Sequence, residues 1–406
     1  MNEVVTFGCR LNFYESELIK EALKKAQREN VVVVHSCAVT NEAERQVKQK
    51  IRKIHRNNPD KEIIVAGCAV QLDPEAYINI PGVSKVLDNQ NKLKIESYII
   101  DNTSTFSDDQ KPLIINQFQE KSRAFIEIQN GCNHSCTFCS ITHARGNNRS
   151  VPINNIIEQI KIFVENGYQE VVLTGVDITD FGSDLFGKPS LGMMITRVLK
   201  DIPELNRLRL SSIDVSEIDH ELLDLMVNEP RLMPHFHLSL QSGNNLILKR
   251  MKRRHNRIQA IELCHKVKNL RPDVVFGADI IAGFPTETKK MFQDTVDMLK
   301  EINVIYLHVF PYSERKNTPA ARMPQVPENI RKERTKYLRE MNKEIMSNFL
   351  QSLVGTTQSV LIEQNCIGRA ENFALVKLAS TLPAKSMIKS NIRATQDNFL
   401  IGNISV

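Results

Sequence analysis

Ala124-Phe125-Ile126-Glu127-Ile128-Gln129-Asn130-Gly131-Cys132-Asn133-His134-Ser135-Cys136-Thr137-Phe138-Cys139 joins a strand to a ligand loop. The apolar first half predicts a strand over 124–129. The second half sets three thiols on one short loop in a C-x3-C-x2-C pattern. Three thiolates can hold three corners of an iron–sulfur cubane and leave its fourth iron open to a small molecule. Zinc is the competing ion. It wants four closed ligands, and His134 or His143 could supply the fourth.

Downstream, apolar runs predict strands at 170–174, 207–212, 235–240, 274–281 and 305–310. Helical patterns at 153–166, 257–269 and 289–302 separate several of them. With the first strand these make six strand–helix units, a partial TIM-like (βα)6 barrel that would bind ligands at its C-terminal strand ends. Polar residues fall at those ends: Thr174 and Gly175, then Ser239 and Gln241, then 278–287.

Upstream, three apolar runs each end in cysteine: Val4 to Cys9, Val31 to Cys37 and Ile63 to Cys68. Helical stretches follow the first two, at 14–28 and 41–56, with Asn41 as N-cap and Glu44 completing a capping box. Continuous apolar strands alternating with helices predict a parallel sheet covered on both faces. The three cysteines then gather along one sheet edge, although simple burial would also account for them. A polar stretch, 101–112, reads as a linker. After Pro327 a charged helix spans 328–350, and the tail from Gly355 reads as a small β-barrel. The class is α/β, with units at 1–113, 118–347 and 348–406.

Hydrophobic residues make up 41% and charged residues 25% of the 406, as in ordinary globular proteins. The N-terminus lacks a signal-peptide layout and no apolar run matches a membrane span, so a cytoplasmic location and no membrane are expected. Eight cysteines in that compartment point to metal, catalysis or burial rather than disulfides. Cys264 and Cys366 read as core. The net charge of +6 suggests an anionic partner. Lys249, Arg250, Lys252, Arg253 and Arg254 form a run without acidic residues that would place cations at the mouth of the site, against nucleic-acid phosphates. The alternative is a solvated helix start.

The C-x3-C-x-Phe-C loop resembles the signature of the radical S-adenosylmethionine (SAM) superfamily. That resemblance implies a [4Fe–4S] cluster on Cys132, Cys136 and Cys139, with SAM on the open iron and cleaved there to a 5′-deoxyadenosyl radical. It implies Phe138 at the adenine, with packing on the core as the alternative. It also implies Thr174 and Gly175 at the SAM amino group, Ser239 and Gln241 at the ribose, and 278–287 as the fifth-strand adenine motif. Gly8-Cys9-Arg10-Leu11-Asn12, Cys37-Ala38-Val39-Thr40 and Gly67-Cys68-Ala69-Val70-Gln71 resemble the methylthiotransferases, which implies a second [4Fe–4S] cluster on Cys9, Cys37 and Cys68. The wording of these segments, with Ala144-Arg145-Gly146 and Pro311-Tyr312-Ser313-Glu314-Arg315, resembles the branch that 2-methylthiolates threonylcarbamoyl-adenosine at position 37 of tRNA.

That branch implies the tRNA anticodon stem-loop as partner, a flavodoxin or ferredoxin as electron donor, and a TRAM-like RNA-binding tail. The sequence departs from the family pattern at His35-Ser36, at Asn147-Asn148 and at Asn317, and its tail is short for a complete barrel. Two other substrates compete, isopentenyl-adenosine in tRNA and a ribosomal-protein side chain. A non-catalytic RNA-binding zinc or iron–sulfur protein is the more distant alternative.

Overall fold

A computed structural model describes residues 2–99, 113–118 and 121–405. The linker expected at 101–112 lies outside the described residues. Four parallel strands, β1 (Glu3–Thr6), β2 (Val31–Ser36), β3 (Glu62–Gly67) and β4 (Val83–Leu87), form the first sheet in that order. β2 is buried along its whole length, which is why it reads as an unbroken apolar run.

Helices α1 (Arg10–Lys25), α2 (Asn41–Asn57), α3 (Cys68–Leu72) and α4 (Glu75–Ile78) accompany this sheet. The cap of α2 is not Asn41 but Thr40, whose Oγ1 accepts from the Ala43 amide at 3.1 Å. Asn41 and Glu44 accept instead from Arg315 Nη1, at 3.0 and 2.6 Å. The residues expected to cap the helix thus dock this unit on the next one.

The second unit holds β5 (Ala124–Glu127), β8 (Glu170–Thr174), β9 (Arg207–Leu210), β10 (His235–Gln241), β11 (Val275–Ala282) and β12 (Val304–Pro311), plus a small antiparallel pair, β6 (Gln129–Asn130) with β7 (Arg149–Ser150). Its helices are α5 (Ile141–Arg145), α6 (Ile153–Glu165), α7 (Leu191–Asp201), α8 (His220–Asn228), α9 (Asn245–Met251), α10 (Arg257–Leu270) and α11 (Lys289–Glu301). β5-β8-β9 and β10-β11-β12 are parallel triplets joined by a bridge between Ile213 and Leu238. Among the described residues no pairing closes β12 on β5, so the six strands form an open arc, as expected. α1 packs against β5 at that opening.

After α12 (Glu328–Ser352) come β13 (Thr357–Gln364), β14 (Ile367–Ala370), β15 (Leu375–Leu378), β16 (Met387–Gln396) and β17 (Phe399–Ile404). They form a closed barrel in the order β13-β14-β15-β17-β16. The tail that looks short in sequence closes because β15 and β17 pair in parallel. Asn317, one of the departures from the family pattern, has φ +70, a conformation Asn tolerates better than most residues.

The small barrel covers the N-terminal ends of the parallel strands. Phe373 stacks on His235 with ring centroids 4.5 Å apart, and Arg369 lies over its face at 4.1 Å. Arg207 Nη2 donates to Ser359 O at 2.8 Å. Cys264 is core, as expected, but Cys366 is only half-buried, on the β13–β14 turn. Among the described residues no helix is long and apolar enough to cross a membrane.

Candidate active site

The first cysteine loop begins where β5 breaks into β6. Gly131 sits there at φ +73 with the Asn147 and Gly146 carbonyls against its α-carbon. The next amide, Cys132 N, donates to Gly146 O at 3.0 Å. Backbone amides aim at the sulfurs: His134 N lies 3.4 Å from Cys132 Sγ and Ile141 N 3.4 Å from Cys139 Sγ. Thr137 pins the loop by donating to Arg250 O and Met251 O at the end of α9. Burial pushes the Cys132 thiol up to about 12 and the Cys139 thiol to about 11. Such sulfurs ionise when a metal takes the proton's place.

Cys9, Cys37 and Cys68 follow β1, β2 and β3, so one sheet edge gathers them as expected. Gly8, at φ +100, lets the chain pass against Cys37, since a Cβ there would fall 2.8 Å from its sulfur. Burial lifts the Cys37 thiol to about 11.

Among the described residues, neither triad brings its three sulfurs within 4.8 Å of one another. A single zinc ion would hold thiolates about 3.8 Å apart, so this frame suits a cubane better. Cys132 and His134 converge with Asp177 instead, which offers only one thiol. His134 pairs with Asp177 and Glu217, at 3.2 and 3.4 Å, and His143 is exposed.

Two cavities adjoin this centre. One, of about 160 Å³, is walled by Cys132, Cys136 and Cys139 and by strand-end residues including Asp177, Asp214 and Ser239. The other, of about 220 Å³, lies between Ala38-Val39-Thr40, just past Cys37, and the Phe138–Ile141 segment, with Asp279 on its floor. Phe138 and Gln241 line both. Phe138 also packs edge-on against Phe284, the core packing that was its alternative setting.

Thr174 is buried and lines neither cavity. Gly175 lets Gln129 approach, and Gln129 Oε1 then accepts from Val176 N and Asp177 N at 3.0 and 2.9 Å. The residues of this strand end that reach the cavity are the next two, Val176 and Asp177. Of the fifth-strand motif, Asp279 and Ile281 reach the second cavity, whereas Glu287 turns away to pair with Arg334. Asp279 Oδ1 meets His237 Nε2 at 3.0 Å and His308 Nδ1 at 3.2 Å. Burial raises the Asp279 carboxyl, but these histidines outweigh it and hold the group below the usual carboxylate range.

The basic run divides. Lys249 and Lys252 are exposed, and Arg250 donates to Thr286 Oγ1 at 2.6 Å. Arg253 turns inward, donating to Asp214 Oδ2 at 2.7 Å and to Ser239 O at 2.8 Å, with Nη1 3.7 Å from Cys136 Sγ. Arg254 pairs with Glu217 and Asp214. Acidic residues from the loop after β9 engage both arginines, drawing Arg253 inward while Arg254 stays at the surface with its head group paired. The other departure, His35, is fully buried: Nδ1 meets Ser16 Oγ at 2.9 Å and Nε2 meets Lys92 Nζ at 3.2 Å.

The family description "Radical SAM superfamily" matches residues 126–299, and "Uncharacterized protein family UPF0004" matches residues 2–87. A threonylcarbamoyladenosine tRNA methylthiotransferase MtaB of Rickettsia prowazekii is 50% identical over 98% of this chain and 96% of its own length. A protein of the same name from Aquifex aeolicus is 35% identical over 92% and 95%. A solved structure of the radical SAM methyltransferase TsrM from Kitasatospora setae, with tryptophan and a SAM analogue, superposes with TM-score 0.57 over 88% of this chain and 78% of that one. At 13% identity that likeness concerns the fold.

Proposed function

The chain belongs to the threonylcarbamoyladenosine tRNA methylthiotransferases of the radical SAM superfamily, and on that premise we propose that it 2-methylthiolates N6-threonylcarbamoyladenosine at position 37 of tRNA. The observation that carries this reading is the cavity walled on one side by the residues just past Cys37, Ala38 to Thr40, and on the other by Phe138 to Ile141, Cys139 among them. A base held there lies between those two segments. Its aromatic C2–H bond yields to no side-chain acid or base at neutral pH, so a radical is needed. When bound, SAM and two [4Fe–4S] clusters supply that chemistry, radical generation at Cys132, Cys136 and Cys139 and sulfur at Cys9, Cys37 and Cys68.

The chain's own residues bind, orient and exclude water. Phe138 and Gln241 form the partition between the SAM cavity and the base cavity. Ser239, Val176 and Asp177 line the SAM side, with Thr174 and Gly175 holding that strand end in place. Asp279 presents an ionised carboxylate to N–H groups of the base. The units are 1–113 for the sulfur-bearing cluster, 118–347 for the radical core and 348–406 as a TRAM-like RNA-binding barrel. Lys249 and Lys252 meet phosphates of the anticodon stem-loop. A small reductant such as flavodoxin or ferredoxin feeds the radical cluster in the cytoplasm.

Mass spectrometry of tRNA nucleosides from a deletion strain tests the substrate. Loss of the 2-methylthio form of threonylcarbamoyl-adenosine, restored by the gene, is expected; an unchanged level refutes the reading. Anaerobic reconstitution should load about eight irons per chain.

A further inference from the structure

Arg145 belongs to the radical half of the molecule yet ends among the residues of the other triad. It closes α5, six positions beyond Cys139, and α5 packs on α3, which begins at Cys68. Its five N–H donors meet five acceptors. Nε lies 3.2 Å from Cys68 Sγ. Nη1 donates to Glu15 Oε1 at 2.8 Å and Asn130 Oδ1 at 3.0 Å. Nη2 donates to Asn12 Oδ1 at 2.7 Å and Glu15 Oε2 at 2.9 Å. The following residue, Gly146, accepts from Cys132 N. Two adjacent residues thus touch one cysteine of each triad.

The surroundings carry a charge imbalance. Glu15 also accepts from Lys92 Nζ at 2.6 Å, and both are essentially without solvent. The hydrogen-bonded charges beside Cys68 are therefore two cations, Arg145 and Lys92, on one anion, Glu15; the other buried carboxyl in reach, Glu127, accepts from Asn130 Nδ2 at 3.1 Å, and burial lifts it to about 7, where it is only partly ionised. An uncompensated buried cation is costly. Three thiolates on a [4Fe–4S]2+ core carry a net single negative charge, and one more when reduced, so a cluster there adds counter-charge that Glu15 and a partly ionised Glu127 supply only in part. A hydrogen bond to a cluster cysteine also makes reduction easier.

We propose that Arg145 is a positioning residue that fixes the auxiliary cluster against the radical-generating loop and raises its reduction potential. The inference rests on the reading of Cys9, Cys37 and Cys68 as cluster ligands.

The test uses full-length C132A/C136A/C139A protein, which isolates the auxiliary cluster, titrated by electron paramagnetic resonance. Arg145→Gln should lower the reduced-to-oxidised ratio at fixed potential about tenfold, the worth of one lost charged hydrogen bond. Arg145→Lys, which keeps the charge but not the fork, should lower it by less and covers the case in which the Gln variant fails to fold. In otherwise wild-type enzyme, Arg145→Lys should still form 5′-deoxyadenosine while product per 5′-deoxyadenosine falls. An unchanged ratio in both variants at full iron content, with unchanged product per 5′-deoxyadenosine, overturns the proposal. If the triple variant with Arg145 intact holds no iron, the cluster assignment itself fails and the proposal falls with it.

Discussion

Substituting Gly131 by alanine separates the two cysteine triads by a single methyl group. The new Cβ would lie 1.9 Å from Asn147 O and 2.7 Å from Gly146 O. Both are backbone atoms, so no side chain can swing aside. Alanine at φ +73 costs about 1 kcal/mol. The Gly146–Asn147 segment must move by more than an ångström, which breaks the Cys132 N–Gly146 O bond, worth about 1 kcal/mol. Overpacking at the β6–β7 pair adds about 1 kcal/mol. Together these disfavour the ligand-competent loop by about 3 kcal/mol, a hundredfold or more in population. The expected result after reconstitution is about four irons instead of about eight, with 5′-deoxyadenosine formation nearly abolished. Gly167→Ala is the control, because Gly167 has φ +80 but nothing within 4 Å of its Cβ position. A Gly131→Ala protein that loads both clusters and cleaves SAM like wild type would refute the view that this contact holds the loop.

Glu170, buried against Arg209, Arg207 and Arg123, gives a pH prediction. Burial raises its pKa, but the arginines, Arg209 foremost, outweigh that and bring it to about 2. A depressed carboxylate stabilises the fold above the unfolded value near 4.5 and loses that contribution as pH falls through 2, about 3 kcal/mol in all. Glu170→Gln should lower the urea midpoint strongly at pH 7 and much less at pH 3; equal losses at both would contradict the assignment. Phe373→Ala removes the ring that Arg369, Arg209 and His235 share and should destabilise by about 3 kcal/mol. Proteolysis should then cut first near the small barrel, and an unchanged cleavage pattern would count against the docking role. Lys249→Glu with Lys252→Glu should weaken tRNA binding across sequences and reduce the salt slope by about 2. Binding with an unaltered slope would remove these lysines from the interface.

What the sequence discloses about this molecule depends on how far apart the cooperating residues lie. Cys132, Cys136 and Cys139 are legible because their geometry is local, and the strands of the arc are legible because burial writes an apolar run at each. Cys9, Cys37 and Cys68 were reached one step less directly, by counting equivalent positions after parallel strands. Beyond that, local reading fails for identifiable reasons. The basic run from Lys249 looked like one surface, but Asp214 and Glu217 enter from another strand end and claim Arg253 and Arg254. Asn41 and Glu44 satisfied the pattern of a capping box, yet Arg315, more than 270 positions away, is the better donor for both.

The group most closely tied to both triads, Arg145, was visible only as part of the Ala144-Arg145-Gly146 wording, and nothing in that wording disclosed its partners. Arg145 meets Glu15 across 130 positions, and Glu15 meets Lys92 across 77. Each looks like an ordinary charged residue in its own helix or loop. Buried charges are tolerated only as a complete set, so their meaning appears only when the partners are assembled. His35 belongs to the same set. Read alone it was a departure from the family pattern; in place, burial first and Lys92 second hold it neutral while it hydrogen-bonds Ser16. A substitution that looks idiosyncratic at one position is therefore a change in how this chain balances charge beneath its second triad.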